Sequence, residues 1–149
     1  MWTDSSWNND PDTSRSRSGY VTKFNNCAVS WNSTMQKQVT LSSCEAEYIA
    51  LGDAVKEALW LKELLTELRF PQGPIRIYID NKSAMQLAKI HMLRPRSKHI
   101  AMRHHWVREK VQAGDIELVY VPTAENTADM MTKNLGRAKM QQLLQGILE

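Results

Sequence analysis

No run in the 149 residues approaches the roughly 20 apolar residues a membrane span needs. Met1 is followed by polar residues and not by the apolar core of a secretion signal. Neither a membrane partner nor export is expected, which points to an intracellular protein. Cysteine is scarce: Cys27 and Cys44 lack CxxC spacing and read as two free thiols in a reducing compartment. Internal repeats and low-complexity tails are absent as well. A chain of this length fits a single domain, residues 1–149, with a real core and no second domain. The hydrophobic share of 42% and charged share of 23% are ordinary for a globular protein, so composition names no activity and arrangement has to.

Charge is arranged unevenly. The net value is +3, yet between Lys82 and Lys110 eight basic residues (Lys82, Lys89, Arg94, Arg96, Lys98, Arg103, Arg108, Lys110) stand against one acid, Glu109. The rest of the chain is net negative. A basic flank beside an acidic centre suits an enzyme acting on a phosphate backbone, although a solvated helix face reads the same way. All four histidines (His91, His99, His104, His105) fall in the same stretch. Only His99 with His104 or His105 share a helical neighbourhood, and no cysteine or acid completes four ligands, so zinc is not expected.

Hydrophobic periodicity and turn residues set out the elements. A polar loop, Asn8 to Ser18, precedes two strands, Gly19 to Phe24 and Cys27 to Trp31, joined by an Asn25–Asn26 turn. Lys37 to Leu41 is read as an extension of the second. Ser42 and Glu45 form a capping box for a helix that runs to about Leu68 and stops before Pro71 and Gly73. Ile75 to Asp80 is a strand, Lys82 to Lys89 a short helix, Ile100 to Ala113 another, and Ile116 to Val121 a further strand. A helix carrying Asp129 and an amphipathic one from Arg137 complete the chain. Antiparallel strands first, then alternating helix and strand, predict an α/β fold with a mixed sheet flanked by helices.

Four acids, Asp4, Glu47, Asp80 and Asp129, sit at strand ends or helix starts within apolar surroundings. Asp80 closes the run Ile75, Ile77, Ile79, where open α/β sheets collect ligands. Glu47 shares the helical stripe of Ala50, Ala54 and Leu61, which turns it toward the sheet. Buried like charges repel unless cations neutralise them, and an all-oxygen set suits magnesium or manganese. Asp10, Asp12 and Asp53 read as solvated, and Glu125 as serving the first turn of its helix. Asn81 fits either a helix cap or a substrate contact, and Ser43 and Ser83 face the same choice. The tryptophans Trp2, Trp7, Trp31, Trp60 and Trp106 are expected in the core or at strand edges, and the methionines as core filler.

Seven segments carry a resemblance that covers nearly the whole chain: WTDSSW around Asp4, SGY at Ser18 to Tyr20, AVSW at Ala28 to Trp31, LSSCEAEYIAL at Leu41 to Leu51, IYIDNKSA at Ile77 to Ala84, KHIAMRHHWVRE at Lys98 to Glu109, and YVPTAENTADMMTK at Tyr120 to Lys133. In this order they resemble the RNase H domain of copia-type LTR retrotransposon polyproteins. The resemblance implies an RNase H-like fold with a five-stranded sheet, the first strands antiparallel and the later ones parallel. It implies that Asp4, Glu47, Asp80 and Asp129 are the catalytic acids holding two Mg2+ ions, with Mn2+ a substitute, Asp129 serving a single metal. It further implies hydrolysis of the RNA strand of RNA:DNA hybrids, an upstream reverse transcriptase domain as partner, and a cytoplasmic, virus-like-particle or nuclear location. Expected substrate contacts are Asn81, Ser83, Arg94, Arg96, Lys98 and Arg103. Two departures bear on activity. The loop Pro122, Thr123, Ala124 lacks the histidine many cellular RNases H carry there, so slow turnover is expected. Only three residues precede Asp4, so the first strand is expected to be cut short, at a cost of a few kcal/mol out of a domain's margin of about 5–15. The alternative is therefore a catalytically weak or inactive nucleic-acid-binding module of the same origin.

Overall fold

The computed structural model describes residues 1–89 and 98–148. Five strands, β1 (Trp2–Ser6), β2 (Arg17–Phe24), β3 (Cys27–Met35), β4 (Ile75–Ile79) and β5 (Ile116–Tyr120), form one sheet in the order β3-β2-β1-β4-β5. β1, β2 and β3 pair antiparallel, whereas β1–β4 and β4–β5 pair parallel, the mixed sheet that the element order predicts. The β2–β3 hairpin closes through Asn25 and Asn26, both at positive φ, as a two-residue turn requires when it follows the strand twist. β1 meets β4 at one ladder pair, Trp2 with Tyr78, reinforced by the Tyr78 amide donating to Met1 O at 2.9 Å and by stacking of the two rings.

Helix α1 (Ser43–Glu67) lies across β1, β2 and β4, with α2 (Lys82–Lys89) and α3 (Lys98–Gln112) beside it. Its small residues Ala46, Ala50, Ala54 and Ala58 are buried, so the helix approaches the sheet closely, while Tyr48, Leu51 and Val55 fill the space around Ile77 and Ile79. Full burial of each large apolar side chain stabilises the fold by about 1.5–3 kcal/mol. Alternation along β2 sends Gly19 to the opposite face. There the four-residue helix α4 (Asp129–Thr132) covers β1 and β2, and α5 (Arg137–Leu148) packs against β3 with Leu143 and Ile147 buried.

Three expectations differ from the structure. Lys37 to Leu41 form no strand, because the preceding Gln36 side chain turns inward, donating at 2.9 Å both to Ser18 Oγ and to Ala46 O, and draws the chain off the sheet toward α1. Trp7 and Trp60 are at least half exposed and not core residues, Trp60 falling two positions past Ala58, off the stripe that faces the sheet, whereas exposed Trp31 lies on the edge strand β3, one of the two expected places. Among the described methionines only Met1 is fully buried in the core. Both cysteines are free thiols, as expected. No described helix is long and apolar enough to cross a membrane.

Candidate metal centre

Asp4 sits in the middle of β1, in register with Gly19 of β2. A Cβ at position 19 would lie 2.6 Å from Met131 Cβ and 2.8 Å from Thr132 Cγ2, so only glycine lets α4 rest on the sheet at this point. That contact delivers Thr132 and Lys133 onto Asp4. The entry to α4 is held by fully buried Asn126, whose Nδ2 donates to Thr3 O at 3.0 Å while its Oδ1 accepts from the Ala128 amide at 3.2 Å. Glu47 comes from the start of α1, fixed by a cap in which Ser42 Oγ accepts from the Glu45 amide at 3.2 Å. Glu45 reaches back to the Leu41 amide at 2.8 Å, which accounts for this acid by local structure alone. Asp80 follows the last residue of β4.

From these three separate elements the carboxylates of Asp4, Glu47 and Asp80 converge, each offering an oxygen within 4.8 Å of the others. Asp129 is not in that group. It joins the site through Lys133, whose Nζ donates to Asp129 Oδ1 at 2.6 Å and to Asp4 Oδ1 at 3.2 Å. Thr132 Oγ1 donates to the other oxygen of Asp4.

Burial dominates the electrostatics. It pushes the Asp4 carboxyl up to about 6; Lys133 and the Thr132 hydroxyl pull it back, whereas Asp129 and Asp80 add to the rise. Burial likewise holds Glu47 well above the usual carboxylate range, with Asp4 and Asp80 raising it further and Ser5 offsetting part of the effect. Glu47 Oε2 is buried with no hydrogen-bond partner. Burial by itself would lower the Lys133 ammonium, but Asp4 and Asp129 outweigh it and hold the group above its ordinary value. A hard divalent cation fits this centre, because the donors are all carboxylate oxygens and one of them, though buried, has no partner in the protein.

The surrounding residues divide. Asn81 caps α2, its Oδ1 accepting from the Ala84 amide at 2.9 Å, and Ser83 is exposed one turn from the acids. Arg94 and Arg96 lie outside the described residues, as do His91 and the side chains of Lys98, His99, Arg103 and His104. Lys82 Nζ stands 4.6 Å from the centre of the Tyr120 ring. Glu125 ends a single 3-10 turn, Thr123–Glu125, and so precedes the acidic helix. A groove of about 890 Å3, lined by Trp2, Phe24, Ala58, Leu65, Ile75 and Tyr78 among others, contains none of the four acids. Sequence reasoning missed Gly19, Thr132, Asn126 and Lys133. Only Lys133 left a readable signal, four residues after Asp129 and hence one helical turn from it.

No protein-family model matches the chain. It is 42% identical over 140 residues to the retrovirus-related Pol polyprotein from transposon TNT 1-94 of Nicotiana tabacum, a match covering 94% of this chain and 10% of that protein. Among solved structures, RNase H1 from the halophilic archaeon Halobacterium salinarum superposes with a TM-score of 0.60 at 19% identity, over 88% of this chain and 91% of the other. The chain is similar to transposon Pol polyproteins over 94% of its length and has an RNase H-like fold. LC11-RNase H1, solved in complex with an RNA/DNA hybrid, superposes on this RNase H-like chain with a TM-score of 0.61 at 17% identity, covering 88% and 91%. The chain spans about a tenth of the length of the Pol polyprotein it matches.

Proposed function

We propose that this RNase H-like chain is a metal-dependent endoribonuclease of the copia type that hydrolyses the RNA strand of RNA:DNA hybrids, working beside a reverse transcriptase domain of the same polyprotein. The observation that carries the reading is the convergence of Asp4, Glu47 and Asp80 within 4.8 Å. Three buried or half-buried carboxylates on separate elements have no structural use for such proximity, since each raises the cost of ionising the others. The fold shared with an RNase H1 solved on an RNA/DNA hybrid supports the choice of substrate.

Asp4, Glu47 and Asp80 would hold the ions, with Asp129 serving a single one of them. Bound Mg2+ or Mn2+ would supply the positive charge that activates a water and stabilises the departing ribose oxygen. The chain's own part is to assemble and aim the carboxylates. β1 and β4 present Asp4 and Asp80 side by side, the capped start of α1 sets Glu47, and Thr132 holds one Asp4 oxygen in place. The basic stretch from Lys82 to Lys110 would hold the phosphate backbone, Asn81 and Ser83 lying where that stretch meets the acids.

The test is a labelled RNA:DNA hybrid incubated with the purified chain in Mg2+, with and without chelator. Wild type is expected to cut only with metal; Asp80→Asn is expected to bind the hybrid and not cut it. Equal cutting by Asp80→Asn overturns the ligand assignment. Hybrid binding by wild type without cutting in Mg2+ or Mn2+ favours the non-catalytic binding module instead.

A further inference from the structure

We propose that Lys133 is a resident cation of the Asp4–Asp129 half of the site, so that a divalent ion enters that half only by displacing the ammonium. This rests on the reading of the four acids as metal ligands. The site is asymmetric: on one side Glu47 Oε2 is buried without a partner, while on the other Asp4 and Asp129 already share a positive charge. An ammonium 2.6 Å from Asp129 Oδ1 and 3.2 Å from Asp4 Oδ1 fills the space between the oxygens that these two acids would offer an ion. The two cations cannot share it, since charges a few ångströms apart inside a protein repel by several kcal/mol.

The geometry also provides the exit. Lys133 is the first residue after α4, with extended backbone (φ −124°, ψ 148°), and its side chain is 35% exposed although both its partners are nearly sealed. The flexible four-carbon stem can therefore swing its charge into water without disturbing β1 or α4. Asp4 keeps its Thr132 contact when the lysine leaves, so its position does not depend on the ammonium. Ion binding becomes stepwise: the Asp4–Glu47–Asp80 side fills first, and the Asp129 side fills against a competing charge that belongs to the protein.

Titration calorimetry of Mn2+ into the metal-free full chain tests this, with wild type, K133M, K133Q and K133R compared and each fold checked by circular dichroism. K133M and K133Q are expected to tighten the weaker binding step by about tenfold or more, the scale of one lost charge-assisted contact. K133R, which keeps the charge, is expected to stay close to wild type. In chelator K133M is expected to melt below wild type, and the gap to close or invert as Mn2+ is added. Unchanged or weaker Mn2+ binding by the folded neutral variants, with wild type still binding, overturns the role of Lys133 and leaves the metal centre standing. Absence of Mn2+ binding by wild type and all variants overturns the metal centre and this proposal together.

Discussion

Glu47 shows most directly what the site costs the fold. Its buried Oε2 finds no partner, and burial together with Asp4 and Asp80 holds its carboxyl far above the usual range. Glu47→Gln removes the charge and keeps the shape. In chelator near neutral pH it is expected to melt several degrees above wild type, consistent with relieving a desolvation penalty of about 1–3 kcal/mol, while losing Mn2+ binding. Differential scanning calorimetry with and without metal checks both halves; a lower melting point in chelator would show that the carboxylate is satisfied after all. Gly19 makes the converse case. Gly19→Ala drives a methyl to 2.6 Å from Met131 Cβ and is expected to destabilise the chain by about 1–3 kcal/mol in urea titrations, because α4 must lift. Asp4, Glu47 and Asp80 were legible from charges placed in apolar surroundings. Gly19 and Asn126 were not, because what they touch lies more than a hundred residues away in the chain.

At the scale of elements, α1 carries the load. Ser42→Ala removes the oxygen that accepts from the Glu45 amide and is expected to cost about 1 kcal/mol by chemical denaturation. At the other end Arg69 takes a positive φ of 69°, with the Phe70 amide donating to Leu65 O at 2.7 Å, a helix stop that ordinarily uses glycine. Arg69→Gly is therefore expected to stabilise the chain, by up to about 1 kcal/mol. The helix start was legible because a capping box is a local pattern. Lys37 to Leu41 misled for the opposite reason: its β-branched residues suit a strand, but Gln36 and Thr40 are engaged by Ser18, Ala46 and Ser16 and pull the segment away. The expected helix carrying Asp129 is present as the single four-residue turn α4.

For the whole molecule, the proposed metal centre would link stability to metal through Asp4. Its carboxyl is raised from 3.8 to about 6, chiefly by burial, so the folded state keeps that proton to a higher pH than the unfolded chain does. The contribution of Asp4 to stability is therefore greatest below about pH 3.8 and declines as pH rises through 6. In chelator, the difference in melting temperature between wild type and Asp4→Asn is expected to move in the variant's favour across that window. Saturating Mg2+ should oppose the decline, since cation and proton compete for the same oxygens. The basic stretch predicts that hybrid affinity, measured by filter binding, falls steeply with salt.

The sequence by itself determined most of the elements and their order, the capped helix and the acids that are candidate ligands, because each is written in local periodicity, turn chemistry or an ill-placed charge. Only the tertiary structure decided which of those acids meet, and that Lys133 links Asp129 to Asp4. The reason is physical: Asp4, Glu47 and Asp80 meet through the packing of β1, β4 and α1, and Asp129 and Lys133 reach Asp4 only as closely as α4 can approach β2, a distance set by the missing side chain at Gly19.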